Sequence, residues 1–129
     1  MQATLENGIP QLSVRELKQR LDAGEDIFIL DVREPFEYEI ANIGGTLIPQ
    51  DDVPDRLAEI DPEREIAVFC RSGQLSQTIA EFLQAVGYLR VANVAGGIVA
   101  WREEIGPVGE DDRISEMDER DRHASSPQF

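Results

Sequence analysis

The chain has 129 residues, a length that suits one domain built around a single hydrophobic core. Hydrophobic residues make up 41% of it, and no apolar run approaches the roughly 20 residues that a membrane-spanning helix needs. The net charge of −14 is opposite to the basic surface that nucleic acids require, so we expect neither a nucleic-acid partner nor a membrane partner. Because the first residues show no secretory signal, we expect a cytoplasmic protein.

The rarest residues narrow the chemistry that the chain can perform. Cys70 is the only cysteine, which excludes an internal disulfide, a Cys-x-x-Cys redox pair and a cysteine-rich zinc site. His123 is the only histidine and lies in a polar terminal segment, so we do not expect a Cys–His catalytic pair. Any cysteine chemistry in this chain therefore has to work without an imidazole base.

The first half of the chain predicts a helix followed by a buried strand. Ser13 and Glu16 have the spacing of a capping box, which marks the start of a helix. The apolar run 27–30 then ends at Asp31, which is typical of a parallel strand buried on both faces. Residues 36–50 contain glycines and a proline among mixed side chains, and they predict a short helix or turn followed by a loop.

The second half predicts the same alternation of strands and helices. Residues 51–60 predict a helix, and the run 66–69 is a second strand of the buried type. Apolar side chains between positions 79 and 86 follow the spacing of an amphipathic helix. A third strand and a final helix follow over 90–94 and 98–105. This alternation predicts an α/β fold, with a parallel sheet covered by helices on both faces.

Cys70 directly follows the strand 66–69 and precedes a predicted helix, at the sheet edge where ligands bind in α/β folds. Unpaired backbone N–H groups and the helix dipole stabilise a thiolate at such a corner. In the loop, Gly73 permits a tight turn, while Ser72 and Ser76 can donate hydrogen bonds to an anion. Free cysteines also serve as small buried hydrophobes, so position alone leaves both interpretations open.

Four segments resemble the ordered signatures of the rhodanese family: 31–38 (DVREPFEY), 48–49 (IP), 68–73 (VFCRSG) and 94–101 (VAGGIVAW). Their joint order and spacing are specific, although each alone is a weak signal. The resemblance implies a three-layer α/β fold with a parallel five-stranded sheet and helices on both faces, which we assign to residues 1–105. The acidic, polar composition of residues 106–129 predicts a flexible tail.

The resemblance also implies a function, that of a sulfurtransferase. Cys70 would take sulfane sulfur from thiosulfate, a polysulfide or a protein persulfide, hold it as a persulfide, and pass it to a nucleophilic acceptor. No metal or organic cofactor is implied, and the implied partners are small sulfur-containing anions, persulfide donors, or a protein sulfur donor or acceptor. The implied substrate-binding residues form the loop after the cysteine, namely Arg71, Ser72, Gly73, Gln74, Leu75 and Ser76.

Several residues near the predicted site have more than one interpretation. Asp31 and Arg33 lie at the end of the neighbouring strand, where they either brace the loop through hydrogen bonds or serve the architecture alone. Arg71 either adds positive charge beside the loop or points into solvent. Gly96 and Gly97 indicate a close approach of two backbones rather than catalysis.

The chain departs from the family pattern at two places. Leu75 replaces the second arginine of the common loop Cys-Arg-Ser-Gly-x-Arg-Ser, and Asn42 stands where many relatives have histidine. Losing that arginine removes a planar cation, so we predict that small oxyanions are poor donors and that a protein persulfide or an uncharged polysulfide supplies the sulfur. The change also leaves a second possibility, a non-catalytic rhodanese-like module that binds a partner or senses redox state. A phosphatase-type loop is disfavoured because Ser76 stands where that class needs arginine.

Overall fold

The computed structural model describes residues 4–110, in which short strands alternate with helices. The strands, in chain order, are β1 (Thr4–Glu6), β2 (Ile9–Leu12), β3 (Ile27–Asp31), β4 (Ala41–Asn42), β5 (Thr46–Leu47), β6 (Glu65–Phe69), β7 (Val91–Val94) and β8 (Gly109–Glu110). The helices are α1 (Val14–Asp22), α2 (Pro35–Ile40), α3 (Gln74–Ala85) and α4 (Gly97–Glu104), and a 3-10 segment covers Gln50–Glu59.

The main sheet has the strand order β1-β2-β7-β6-β3-β5. The strands from β2 to β5 in this order all pair in parallel, which confirms the predicted parallel five-stranded sheet. The sheet also has a sixth strand, β1, which pairs antiparallel with β2 at the edge. The residue pattern did not reveal β1 and β2, because these short strands lack the apolar run of a buried strand and β2 contains Pro10.

The helices cover both faces of the sheet and bury an apolar layer on each. Side chains alternate along β6, so Ile66 and Val68 face one layer while Ala67 and Phe69 face the other. The first layer packs against α3 and the 3-10 segment, and the second packs against α1 and α4. This two-sided burial explains why the central strands appear in the sequence as continuous apolar runs.

The structure confirms one predicted helix start and corrects the type of one predicted helix. The start of α1 at Ser13 is confirmed, because its Oγ accepts a hydrogen bond of 3.0 Å from the N–H of Glu16. The helix predicted over residues 51–60 is wrong in type, because a 3-10 segment forms there and its backbone leaves helical geometry at Arg56. Pro54 lies inside this segment and lacks the N–H group that a regular α-helix would use.

The end of the chain is described only in part. Residues 109–110 of the predicted tail form β8, which pairs antiparallel with β4 in a separate two-stranded sheet. Residues 111–129, and with them His123, lie outside the described residues. Among the helices of residues 4–110, none is both long enough and apolar enough to cross a bilayer.

We predict that Leu83→Ala lowers the free energy of unfolding by about 2–5 kcal/mol, because it opens a cavity beneath α3. Leu83 is fully buried, whereas Leu89 is 82% exposed and provides the matched control. Leu89→Ala should change the free energy of unfolding by no more than about 0.5 kcal/mol. Urea unfolding measures both values, and equal losses in the two variants would contradict this assignment of the core.

Candidate active site

Cys70 lies at the carboxyl end of the central strand β6, between the ends of β3 and β7. The loop that it opens leads directly into α3. The first turn of α4 holds this loop from the other side, because the N–H groups of Ile98 and Val99 donate to the carbonyl oxygens of Cys70 and Arg71 at 3.0 and 3.1 Å. The cysteine backbone is thus fixed by a strand, a loop and a second helix.

Main-chain N–H groups converge on the Cys70 sulfur. The N–H groups of Gly73 and Ser76 donate to Sγ at 3.1 and 3.3 Å, and Ser76 Oγ lies 3.1 Å from it. Gly73 precedes α3 with a φ of 95°, a backbone conformation that favours glycine. Cys70 is 2% exposed, so these groups replace most of the water that a thiolate would otherwise contact. The arrangement can stabilise negative charge on sulfur.

The other loop residues predicted to bind substrate are divided between two surfaces. Arg71, Ser72 and Leu75 line a pocket of about 140 Å³ that reaches the cysteine. Gln74 instead faces a wider groove on the opposite side of the loop, which Ser72 and Gly73 also line. The structure therefore brings Arg71, Ser72 and Leu75 to the cysteine pocket and leaves Gln74 outside it.

Arg33 lines the pocket and forms a buried ion pair with Asp31. Arg33 donates from Nε and Nη2 to the two carboxylate oxygens of Asp31 at 2.9 and 2.8 Å, and Nη2 also donates to the carbonyl of Ala41. The guanidinium group lies 5.7 Å from the centre of the Phe69 ring. These contacts tie β3 to the end of α2, so the pair fixes the pocket wall while Asp31 offsets the arginine charge.

Acidic and apolar groups complete the pocket. Glu34 and Glu37, from the start of α2, line it together with Leu75. Arg71 is exposed at the same pocket. A larger cavity of about 330 Å³ lies at the opposite, amino-terminal end of the strands, beside α1 and the start of β6, and shares no lining residue with the cysteine pocket. The smaller pocket, which Cys70 lines, is therefore the candidate site for any reaction of this cysteine.

Asn42, the second predicted departure from the family pattern, closes a turn next to α2. Its Nδ2 donates to the carbonyl of Tyr38 at 2.9 Å, and its Oδ1 accepts from the N–H of Gly44 at 2.8 Å. The Tyr38 hydroxyl donates to the carbonyl of Gly45 at 2.6 Å. The asparagine therefore satisfies the backbone of this turn.

The close backbone approach predicted at Gly97 is confirmed. A Cβ atom at this position would lie 2.2 Å from the carbonyl oxygen of Cys70 and 2.5 Å from that of Arg71. The φ of 54° is also unfavourable for other residues. Only a glycine at the start of α4 allows its amides to reach the cysteine loop.

One polar residue beside the site was not singled out from the sequence. Asn93 is 2% exposed in β7, and its Oδ1 lies 2.5 Å from Ser76 Oγ. The only signal for it is an amide side chain inside an otherwise apolar strand. Such a residue needs hydrogen-bond partners, but the sequence does not say which.

A cysteine whose sulfur accepts main-chain N–H groups where a buried parallel strand meets a helix defines an α/β protein with a cysteine loop that can stabilise an anion. The comparisons with known proteins refine this class. The model of the rhodanese-like domain matches residues 13–104, and the chain belongs to this family. The chain is 35% identical to a sulfurtransferase from Allochromatium vinosum over 101 residues, which are 78% of this chain and 94% of that protein.

Solved structures agree with this assignment. A rhodanese-like domain protein from Staphylococcus aureus is 33% identical with a TM-score of 0.67, and the match covers 70% of this chain and 89% of that one. The rhodanese-like domain of an Anabaena protein, determined by NMR in solution, is 28% identical with a TM-score of 0.72. That match covers 93% of this chain and 89% of the Anabaena chain.

We predict that Gly97→Ala destabilises the protein more than Gly24→Ala. Both glycines have a positive φ, but a Cβ at Gly24 would meet nothing within 4 Å. Gly24→Ala should therefore lower the free energy of unfolding by the backbone cost alone, about 1–2 kcal/mol. Gly97→Ala should exceed this by at least about 2 kcal/mol, because the cysteine loop has to move. Denaturant unfolding measures both, and similar values would show that α4 does not hold the loop.

Proposed function

We propose that this chain is a sulfurtransferase that carries sulfane sulfur as a persulfide on Cys70. The observation that supports this most directly is the pair of main-chain N–H groups, from Gly73 and Ser76, that point at Cys70 Sγ. Donors placed where charge develops stabilise an anion without any reorganisation. The relative from Allochromatium vinosum, whose length the match covers almost completely, bears the name sulfurtransferase.

The proposed reaction has two steps that conserve electrons. In the first, the Cys70 thiolate attacks the sulfane sulfur of the donor, a new S–S bond forms, and the electron pair of the broken bond leaves with the rest of the donor as an anion. In the second, a nucleophilic acceptor attacks the outer sulfur and the Cys70 thiolate leaves. The N–H groups of Gly73 and Ser76 stabilise the thiolate at both ends of the cycle, so the reaction needs no histidine.

We further propose that the preferred donor is a protein persulfide or an uncharged polysulfide rather than thiosulfate. Leu75 contributes an apolar side chain to the pocket where the family loop commonly has an arginine. Glu34 and Glu37 add carboxylates to the same pocket, while the nearby Arg33 is paired with Asp31. A small dianion in this pocket therefore meets two carboxylates, and of the two arginines that line the pocket Arg71 is the exposed one that does not pair with Asp31.

Formation of a persulfide on Cys70 should increase the mass of the intact chain. Incubation of the reduced protein with a protein persulfide, followed by removal of the donor, should add one sulfur atom to the intact chain. Subsequent cyanide should remove it and form thiocyanate. Cys70→Ser is a nearly isosteric control and should gain nothing, because it lacks the nucleophilic thiolate. A natural protein that stays unmodified with polysulfide and with a protein persulfide would contradict the proposal and favour a binding module.

The donor preference predicts that Leu75→Arg improves the use of thiosulfate. A guanidinium at this position should raise kcat/KM for thiosulfate:cyanide sulfur transfer by about tenfold or more, the effect of one charge-assisted hydrogen bond. Leu89→Arg adds the same charge at a highly exposed position near the amino-terminal end of β7 and should have little effect. Equal and high kcat/KM in the natural protein and in Leu75→Arg would refute the preference.

A further inference from the structure

A row of polar side chains begins beside the reactive sulfur and leads away from it. Ser76 Oγ lies 3.1 Å from Cys70 Sγ and 2.5 Å from Asn93 Oδ1. Asn93 Nδ2 in turn lies 3.0 Å from the carbonyl oxygen of Gly73 and 2.9 Å from Gln11 Oε1. Ser76 is fully buried and Asn93 is 2% exposed, so protein groups provide their hydrogen bonds.

The orientation of each amide in this row follows from a backbone carbonyl. A carbonyl oxygen only accepts, so the atom of Asn93 that faces the Gly73 carbonyl has to be the nitrogen. Gln11 is oriented in the same way, because its Nε2 lies 3.1 Å from the carbonyl of Ile9. The atom of Asn93 that faces Ser76 is therefore Oδ1, which can only accept a hydrogen bond.

At the far end of the row, each amide nitrogen again donates to an oxygen of the next side chain. Gln11 Nε2 donates to Gln77 Oε1 at 2.7 Å, and Gln77 Nε2 donates to a carboxylate oxygen of Glu81 at 2.7 Å. The hydrogen bonds from Gln77 and Asn7 hold the pKa of Glu81 below its usual range, so this carboxylate is an acceptor at neutral pH. Nothing along the row offers Asn93 Oδ1 a hydrogen other than that of the Ser76 hydroxyl.

The Ser76 hydroxyl has one hydrogen and two neighbours that can accept it. When Cys70 is a neutral thiol, its S–H donates to Ser76 Oγ and the serine donates to Asn93, so every group is satisfied. When Cys70 is a thiolate, the serine hydrogen turns to the charged sulfur, and the buried Asn93 Oδ1 loses its hydrogen bond. We propose that Asn93 is a positioning residue that competes with the Cys70 thiolate for the Ser76 hydroxyl hydrogen and thereby favours the neutral thiol.

The consequence for catalysis rests on the proposed function. A Cys70 persulfide carries its negative charge on the outer sulfur, so Sγ no longer competes for the serine hydrogen. Ser76 can then donate to Asn93 without loss. Asn93 therefore disfavours the free thiolate relative to the persulfide, which helps the protein to retain its sulfur until an acceptor arrives. The competition itself concerns only the ionisation of Cys70 and can be tested without any sulfur donor.

Other charged groups also face this cysteine. Arg33, Glu34, Glu37 and Arg71 line its pocket, whereas α4 contacts the loop through backbone N–H groups. Substitution of Asn93 or Ser76 leaves all four charges in place. A change in the ionisation of Cys70 in such a variant therefore reports on the hydrogen of the serine hydroxyl.

The test is the rate of alkylation of Cys70 by iodoacetamide as a function of pH, since only the thiolate reacts. Asn93→Ala removes the competing acceptor and leaves the hydroxyl hydrogen to the sulfur. Alkylation at neutral pH should become about two- to tenfold faster, the equivalent of one hydrogen bond, and the pH midpoint should fall. A profile identical to that of the natural protein would overturn the proposal.

The background Ser76→Ala provides the matched control. Without the hydroxyl there is no hydrogen to share, so adding Asn93→Ala should leave the alkylation profile of Ser76→Ala unchanged. The same acceleration in both backgrounds would show that Asn93 acts only by shaping the loop, and would overturn the proposal. Because no sulfur donor is present, this result is independent of whether the protein transfers sulfur.

A measurement on the natural protein does not depend on how well the variants fold. As pH rises through the alkylation midpoint, the Ser76 hydrogen should turn from Asn93 to the thiolate. The side-chain amide signals of Asn93 in nitrogen–proton NMR spectra should therefore shift with the same midpoint. Amide signals that stay constant while Cys70 ionises would overturn the proposal.

Discussion

The arrangement on which the structure of this site depends is the convergence of backbone N–H groups on one sulfur atom. Gly73 and Ser76 donate to Cys70 Sγ only because the chain turns sharply between β6 and α3. That turn is held by α4, whose amides bind the carbonyls of Cys70 and Arg71. Two-sided burial of β6 then fixes the loop against the core, so the donors are in place before any charge forms.

Main-chain N–H groups stabilise charge on the Cys70 sulfur, and the pocket lining determines which anion can approach it. Every residue except proline has a backbone N–H group, so most substitutions leave these donors in place, and they act on the sulfur although Leu75 brings no cation to the loop. The donors point inward at Sγ, while the pocket outside it combines the carboxylates of Glu34 and Glu37 with an apolar wall. This combination supports the proposed preference for charge on the cysteine sulfur over a bulky oxyanion in the pocket.

The strand β2, near the edge of the sheet, is connected to the site by side-chain hydrogen bonds. Gln11 in β2 receives a hydrogen bond from Asn93 in β7, and Gln77 in α3 joins the same row. Pairing of β2 with β7 places Gln11 beside Asn93, where it adds a second acceptor for the Asn93 amide. In the proposed competition for the Ser76 hydrogen, an edge strand and a short row of amides are thus linked to a cysteine at the centre of the sheet.

Local patterns in the sequence determined the central strands, the helices α1, α3 and α4, and the position of Cys70 at a strand end, because apolar periodicity and turn residues act over a few neighbours. Strand order, the edge pair β1–β2 and the pocket wall around Arg33 were decided by tertiary structure. So was the contact of Ser76 with Asn93, 17 residues away, and of Asn93 with Gln11, 82 residues away. Such contacts depend on which strands become neighbours, and that choice is made by packing of the whole domain rather than by any one segment.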